Sequence, residues 1–243
     1  MNIRSLMRHT VLISALCALL GVPAVAYSAA VFLVGDGYQN GSESFTLTAA
    51  PPPVENPVNA GGFVGRIGPN PGPNPPTTPL LFWCVELTQT FGFGTVYSDY
   101  SISPLGNTLL SQLFTEVGGS GSATSTTVGS AAFQLAIWEI LFEGGTYGGL
   151  DVSNGSFQAT GAPGDAGAAA AISQANTWLA GLSGGSPATA ALFLISSGNN
   201  QDFITDTNSP LLQTPEPGSL ALLGIGILGA MFAMRRRTQR ASR

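Results

Sequence analysis

Ala131-Ala132-Phe133-Gln134-Leu135-Ala136-Ile137-Trp138-Glu139-Ile140-Leu141-Phe142-Glu143 is apolar at every position except Gln134, Glu139 and Glu143. Placed at about 100° per residue, its apolar side chains cover a very wide arc, with Glu139 and Glu143 expected as a solvated stripe opposite. Gln134 falls between Leu141 and Trp138, inside the apolar arc. A buried amide without partners costs about 1–3 kcal/mol, so Gln134 is expected to be hydrogen-bonded. A helix this apolar must be covered by neighbouring elements.

Those neighbours are legible upstream and downstream. Ala30 to Val34 and Ser44 to Ala49 have strand-like composition, separated by turn chemistry at Gly35-Asp36-Gly37. Residues 51–79 hold ten of the seventeen prolines and read as a long loop, with Gly62 to Ile67 a short strand inside it. Leu80 to Leu87 reads as a central strand with Phe82, Cys84 and Glu86 on one face and Trp83, Val85 and Leu87 on the other. Thr95 to Ile102 is the next strand, after a Phe-Gly-Phe-Gly turn. Leu110, Leu113, Phe114 and Val117 then mark a helix behind an Asn107 cap, and Asp165 to Leu182 marks another, stopped by Gly184-Gly185. Gly118 to Ser130 reads as loop, Ala190 to Ile195 as a closing strand, and Ser196 to Gln213 as polar and irregular. Strands first and helices later predict a single α+β domain with about three helices over residues 27–213.

Composition removes whole classes of function from that domain. It carries twelve acidic residues against one base, Arg66, a net charge of −11. Phosphate backbones need Lys and Arg, so nucleic acid is excluded as a partner. The chain has no lysine, and its single histidine, His9, lies outside the domain. Histidine-based triads and dyads, His-ligated zinc and Schiff-base chemistry are therefore absent. No metal, no cofactor and no turnover catalysis are expected.

Both ends read as addresses. Arg4 and Arg8 precede an apolar stretch from Thr10 to Leu20 and the small residues Ala24-Val25-Ala26, which marks residues 1–26 as a signal peptide for signal peptidase; cleavage after Ala30 also fits. At the other end Pro215, Glu216 and Pro217 lead into an apolar run, residues 218–234, closed by Arg235, Arg236 and Arg237. Seventeen residues give a helix of roughly 25 Å, just able to span a hydrocarbon core of roughly 30 Å. The arginines would stay cytoplasmic, which puts the domain across the membrane. Residues 214–243 resemble the PEP-CTERM sorting signal of Gram-negative bacteria. That resemblance implies recognition by the membrane protease/transpeptidase exosortase, transient residence in the inner membrane, and release to the envelope or an exopolysaccharide matrix, as in biofilm-forming species.

With Cys17 in the signal peptide, Cys84 is the domain's lone thiol in an oxidising compartment. A buried cysteine on a strand and a buried glutamine on a helix are the two halves of an internal thioester, in which the thiol displaces ammonia from the amide. Phe82-Trp83-Cys84-Val85-Glu86 and, some fifty residues on, Phe133-Gln134-Leu135-Ala136-Ile137-Trp138 resemble the thioester domains of bacterial surface adhesins, where the glutamine sits in a Thr-Gln-x-Ala-Ile/Val-Trp motif. The resemblance implies a crosslink between Cys84 and Gln134; Trp138 is expected to shield it. Phe133 stands where that family has threonine, so a hydroxyl that would orient the amide is missing. The alternative is plain packing of the thiol, with the amide bonded to nearby backbone.

Weaker signals have simpler readings. Glu139 and Glu143 have the spacing of a carboxylate pair for glycoside chemistry but read as the exposed helix face. Gly35-Asp36-Gly37, Asp202 and Asp206 fit no calcium loop and read as turns. Trp83, Trp138 and Trp178 read chiefly as core. The expected protein is an exported adhesin that couples to a nucleophile on a partner surface, or else a non-covalent matrix protein associated with exopolysaccharide.

Overall fold

The computed structural model describes residues 30–206 except positions 50, 71 and 145–147. The signal peptide, the Pro215-Glu216-Pro217 motif, the 218–234 segment and Arg235 to Arg237 lie outside the described residues. Among the described residues no helix is long and apolar enough to cross a membrane.

Among the described residues nine strands and three α-helices make an α+β architecture. The strands are β1 (Val31–Tyr38), β2 (Glu43–Thr48), β3 (Val58–Ala60), β4 (Phe63–Pro69), β5 (Thr78–Cys84), β6 (Val96–Leu105), β7 (Gln158–Gly161), β8 (Leu192–Ser196) and β9 (Phe203–Asp206). The helices are α1 (Thr108–Glu116), α2 (Thr127–Phe142) and α3 (Ala166–Gly181), with a 3-10 turn at Ser122–Thr124. Six strands close an antiparallel barrel in the order β1-β4-β5-β9-β8-β6, and β3-β2-β7 form a separate sheet. A barrel this narrow is filled by side chains. Phe82 stacks on Phe63 at 5.5 Å and meets Phe203 edge-on at 4.8 Å, with Phe91 and Tyr100 closing the cluster.

Each helix starts where a side chain takes up a free backbone N–H. Asn107 accepts from Leu110 N, Thr126 from Gly129 N and Asp165 from Ala168 N, each at 3.0 Å. The expected Asn107 cap and the Asp165 start are therefore observed. Helix α2 begins four residues earlier than its apolar run, because Thr126 supplies the cap and small residues Gly129 and Ser130 let the first turn pack closely.

Helix α2 is buried almost all round. It packs on the barrel through Phe133 against Trp83 at 4.7 Å, on α1 through Phe114 at 4.9 Å, and along α3. That corrects the predicted solvated stripe: Glu139 is fully buried beneath the 148–157 loop, where its carboxylate accepts from Asp151 N at 2.8 Å. Glu143, half-buried, accepts from Ser156 N and from Phe157 N at 3.0 Å.

Three further expectations give way. Residues 51–79 hold β3, β4 and the start of β5, so the proline-rich stretch is partly built into both sheets. Gly35-Asp36-Gly37 is a bulge within β1 rather than a turn between strands. It turns Asp36 toward Arg66, whose Nε and Nη2 donate to the carboxylate at 3.0 and 2.8 Å and hold its pKa below the ordinary value. Finally, residues 203–206 are a fully buried barrel strand, not irregular tail.

The Asp36–Arg66 pair is the single salt bridge among the described residues, and both side chains are over a third exposed. Arg66→Ala is expected to leave the urea unfolding midpoint nearly unchanged, because an exposed ion pair is screened by solvent.

Candidate functional site

Strands β4 and β5 pair from Ile67 and Thr78 to Phe63 and Phe82, then part. Helix α2 enters the fork with two residues one turn apart. Ser130 Oγ accepts from Gly62 N at 2.8 Å on the β4 side. On the β5 side the Gln134 amide meets both polar groups of one residue: Oε1 accepts from Cys84 N at 2.9 Å and Nε2 donates to Cys84 O at 2.8 Å. The amide thus occupies the ladder position that β4 gives up, while β9 pairs Cys84 with Phe203 on the other edge. Gly62 permits the fork, since a Cβ there would lie 2.7 Å from the Trp83 ring.

Cys84 and Gln134, paired in the sequence reading by expected burial and by motif, are therefore in direct contact and buried to 1 % and 0 % exposure. The Cys84 thiol is also occupied: Sγ donates to Glu86 O at 2.7 Å and accepts from Gln201 Nε2 at 2.9 Å. Burial pushes its pKa up to about 12, against the lowering influence of the Glu86 backbone contact and the nearby Trp138 indole; the carboxylates of Glu86 and Asp202 add to the rise. The resting thiol is consequently protonated and a weak nucleophile. Gln201 is itself anchored, its carbonyl accepting from Tyr100 OH at 2.8 Å.

Trp138 is buried and lines the same cleft as Cys84, at the barrel mouth. Its Nε1–H lies beside the Cys84 thiol and lowers the thiol pKa without meeting full hydrogen-bond geometry, and Gln89 Oε1 has no hydrogen-bond partner among the described residues. Trp83 and Trp178 pack against Phe133 instead. Glu139 and Glu143 each bond backbone of the 148–157 loop and are not at the cleft. Asp202 accepts from Ser197 N at 2.8 Å, closing the β8–β9 turn, and burial raises its pKa. Among the described residues no cluster of three or more His, Cys, Asp or Glu could hold a metal ion.

Sequence reasoning missed Gln201, Gln89 and Phe93 as cleft residues. The Phe-Gly-Phe-Gly segment, with two aromatic rings in a turn, was the available signal for one wall; nothing local marks Gln201, which reaches Cys84 from 117 residues away.

Glu139 carries a pH dependence. Burial raises its pKa from 4.5 to about 7, against the Asp151 N–H that lowers it, with Glu143 and Asp151 adding repulsion. The fold therefore favours the neutral carboxyl. Its contribution to stability is complete below the unfolded value and is lost as pH rises through about 7. Glu139→Gln, which keeps the acceptor for Asp151 N, is expected to flatten the stability profile across that window and to raise the thermal midpoint above pH 7 by about 2–6 °C, read by calorimetry.

The described region is thus an α+β barrel domain with a sealed thiol–amide contact at the base of a cleft. Residues 213–237 match the PEP-CTERM protein-sorting motif. The chain therefore carries the signal of an exosortase-sorted surface protein, exported and held transiently in the membrane before processing, with exosortase as its processing partner. Comparison with curated proteins and with solved structures gave no match.

Proposed function

We propose that this surface protein stores an acyl group as a thioester between Cys84 and Gln134 and spends it once on a nucleophile of a partner surface, as an adhesin without turnover. What supports the reading is the seat of the Gln134 amide. Its carbonyl oxygen already accepts the Cys84 N–H, so the bond that polarises the carbonyl is the one that would face the oxyanion of the tetrahedral intermediate. In the forming step Sγ attacks Cδ, the C–S bond forms, the C–N bond breaks, and the thiol proton leaves with the amide nitrogen as ammonia. In the transfer step an amine or hydroxyl attacks the same carbon, the C–S bond breaks, and the sulfur regains a proton. Burial of both residues keeps water from the stored bond.

One observation favours a second reading, a non-covalent matrix protein associated with exopolysaccharide in a biofilm. The amide and the thiol each have two hydrogen bonds without any crosslink, so Gln134 also serves as a clasp for the end of β5. Methylamine separates the two. Protein recovered from the cell surface is expected to take up one methylamine at Gln134, located by peptide mass spectrometry. No uptake, with Cys84 free to alkylate after unfolding, would leave the clasp alone.

A further inference from the structure

Cys84 Sγ is held by more polar groups than a packed thiol needs. Gln201 Nε2–H donates to it at 2.9 Å, the Trp138 indole N–H lies beside it, and its own S–H donates to Glu86 O at 2.7 Å. A free cysteine in a core behaves as a small hydrophobe, and a neutral thiol sulfur is only a weak acceptor. Two N–H groups turned on one sulfur therefore gain little while it keeps its proton. Such bonds become about twice as strong once the acceptor is charged.

Gln201 is in place before any reaction starts. It lies in the turn between β8 and β9, and its backbone is fixed on both sides: its C=O accepts from Tyr100 OH at 2.8 Å and its N–H donates to Thr90 O at 3.4 Å. Beside it Asp202 O accepts from Val85 N at 3.1 Å, which ties the turn to the chain just after Cys84. The Gln201 side chain then reaches back, and Nε2 bridges Sγ and Glu86 O, the latter at 3.1 Å. Trp138 comes from α2, one turn beyond Gln134, and it lines the cleft together with Gln201 and Cys84.

Charge decides what else could help a departing sulfur. The carboxylates of Glu86 and Asp202 oppose negative charge there. Arg66, the one base of the exported region, is engaged by Asp36. With no basic side chain free, the two side-chain N–H groups are what faces a thiolate.

We propose that Gln201 is a catalytic residue of the acyl transfer, its Nε2–H acting with the Trp138 indole N–H to stabilise the Cys84 sulfur as it leaves the acyl carbon. The inference rests on the thioester reading above and adds the groups that act on its leaving atom. An amine attacks Gln134 Cδ, the new C–N bond forms and the C–S bond breaks. The electron pair goes to sulfur against the two N–H groups. A proton lost by the attacking nitrogen then returns to sulfur, where it again bonds Glu86 O. Cys84 N–H meanwhile holds the carbonyl oxygen, so each atom that gains charge has its own donor.

The test is the rate of methylamine uptake at Gln134 in mature protein recovered from the cell surface, followed by intact mass. Gln201→Leu, which keeps the bulk and removes the donor, is expected to slow uptake about tenfold to hundredfold. Trp138→Phe, which keeps a ring, is expected to slow it about threefold to tenfold. Once methylamine has discharged the bond, Cys84 in folded Gln201→Leu protein is expected to alkylate more slowly than in the unmodified protein at the same pH, because less thiolate forms. A residue that only seals the cleft would give the opposite sign, with faster uptake and faster alkylation. Uptake within about twofold of the unmodified rate in both variants, or faster alkylation in Gln201→Leu, overturns the proposal while an ammonia deficit leaves the thioester reading standing. Absence of that deficit from the unmodified protein overturns the reading itself, and the role of Gln201 with it.

Discussion

Gln134→Leu is expected to destabilise the domain by about 2–5 kcal/mol. The substitution keeps the volume of the side chain but strips partners from two buried groups, Cys84 N–H and Cys84 C=O, and each orphan costs about 1–3 kcal/mol. The loss is large because β4 has already left β5 at this point, and no backbone can replace the amide. Gln134→Glu sharpens the test. A carboxylate still accepts from Cys84 N but repels Cys84 O, and burial would raise its folded-state pKa. Stability of that variant is therefore expected to be best below the unfolded carboxyl value of about 4.3 and to fall as pH rises through the higher folded value. Urea unfolding of the surface-recovered protein at two pH values reads both. A Gln134→Leu change within about 0.5 kcal/mol would mean that the fork is held by other groups.

Phe203→Ala is expected to cost about 3–5 kcal/mol. The ring is fully buried at the centre of the barrel, against Phe82 at 4.8 Å, Phe91 at 4.9 Å and Phe63 at 5.6 Å. It also lies on the strand that completes the barrel, between β5 and β8, so the cavity opens at the closing seam. The Cys84–Phe203 register carries the damage toward the thiol. Denaturant unfolding checks the magnitude, and alkylation of Cys84 in the folded variant, faster than in the unmodified protein, checks its direction. Unchanged thiol protection would show that β9 is not what seals Cys84.

Elements whose signals are local in the chain are legible in the sequence, and those fixed by distant pairings are not. The Asn107 and Asp165 caps, the apolar run of α2 and the alternation of Leu80 to Cys84 are local and lead to elements that the structure contains. The buried positions of Cys84 and Gln134 follow from the same patterns. Strand β9 was hidden because both of its faces are covered, so Phe203, Ile204, Thr205 and Asp206 show no alternation and sit among Asn, Ser and Asp. Glu139 was misread for a related reason: a helix wrapped on all sides has no outer stripe, and a carboxylate bonded to a loop can be buried with the rest. The proline count of residues 51–79 outweighed the short strands inside it. Barrel closure, and with it the approach of Gln201 to Cys84, depends on pairings between distant segments that no local period records.

The thiol–amide contact is the point from which stability, shielding and the proposed acyl chemistry all follow. Its most direct test is the intact mass of the mature protein recovered from the native cell surface. The expected product is cut near Pro215-Glu216-Pro217 and lacks the mass of one ammonia, a deficit absent from Cys84→Ala. A product of full mass whose Cys84 alkylates on unfolding would contradict it.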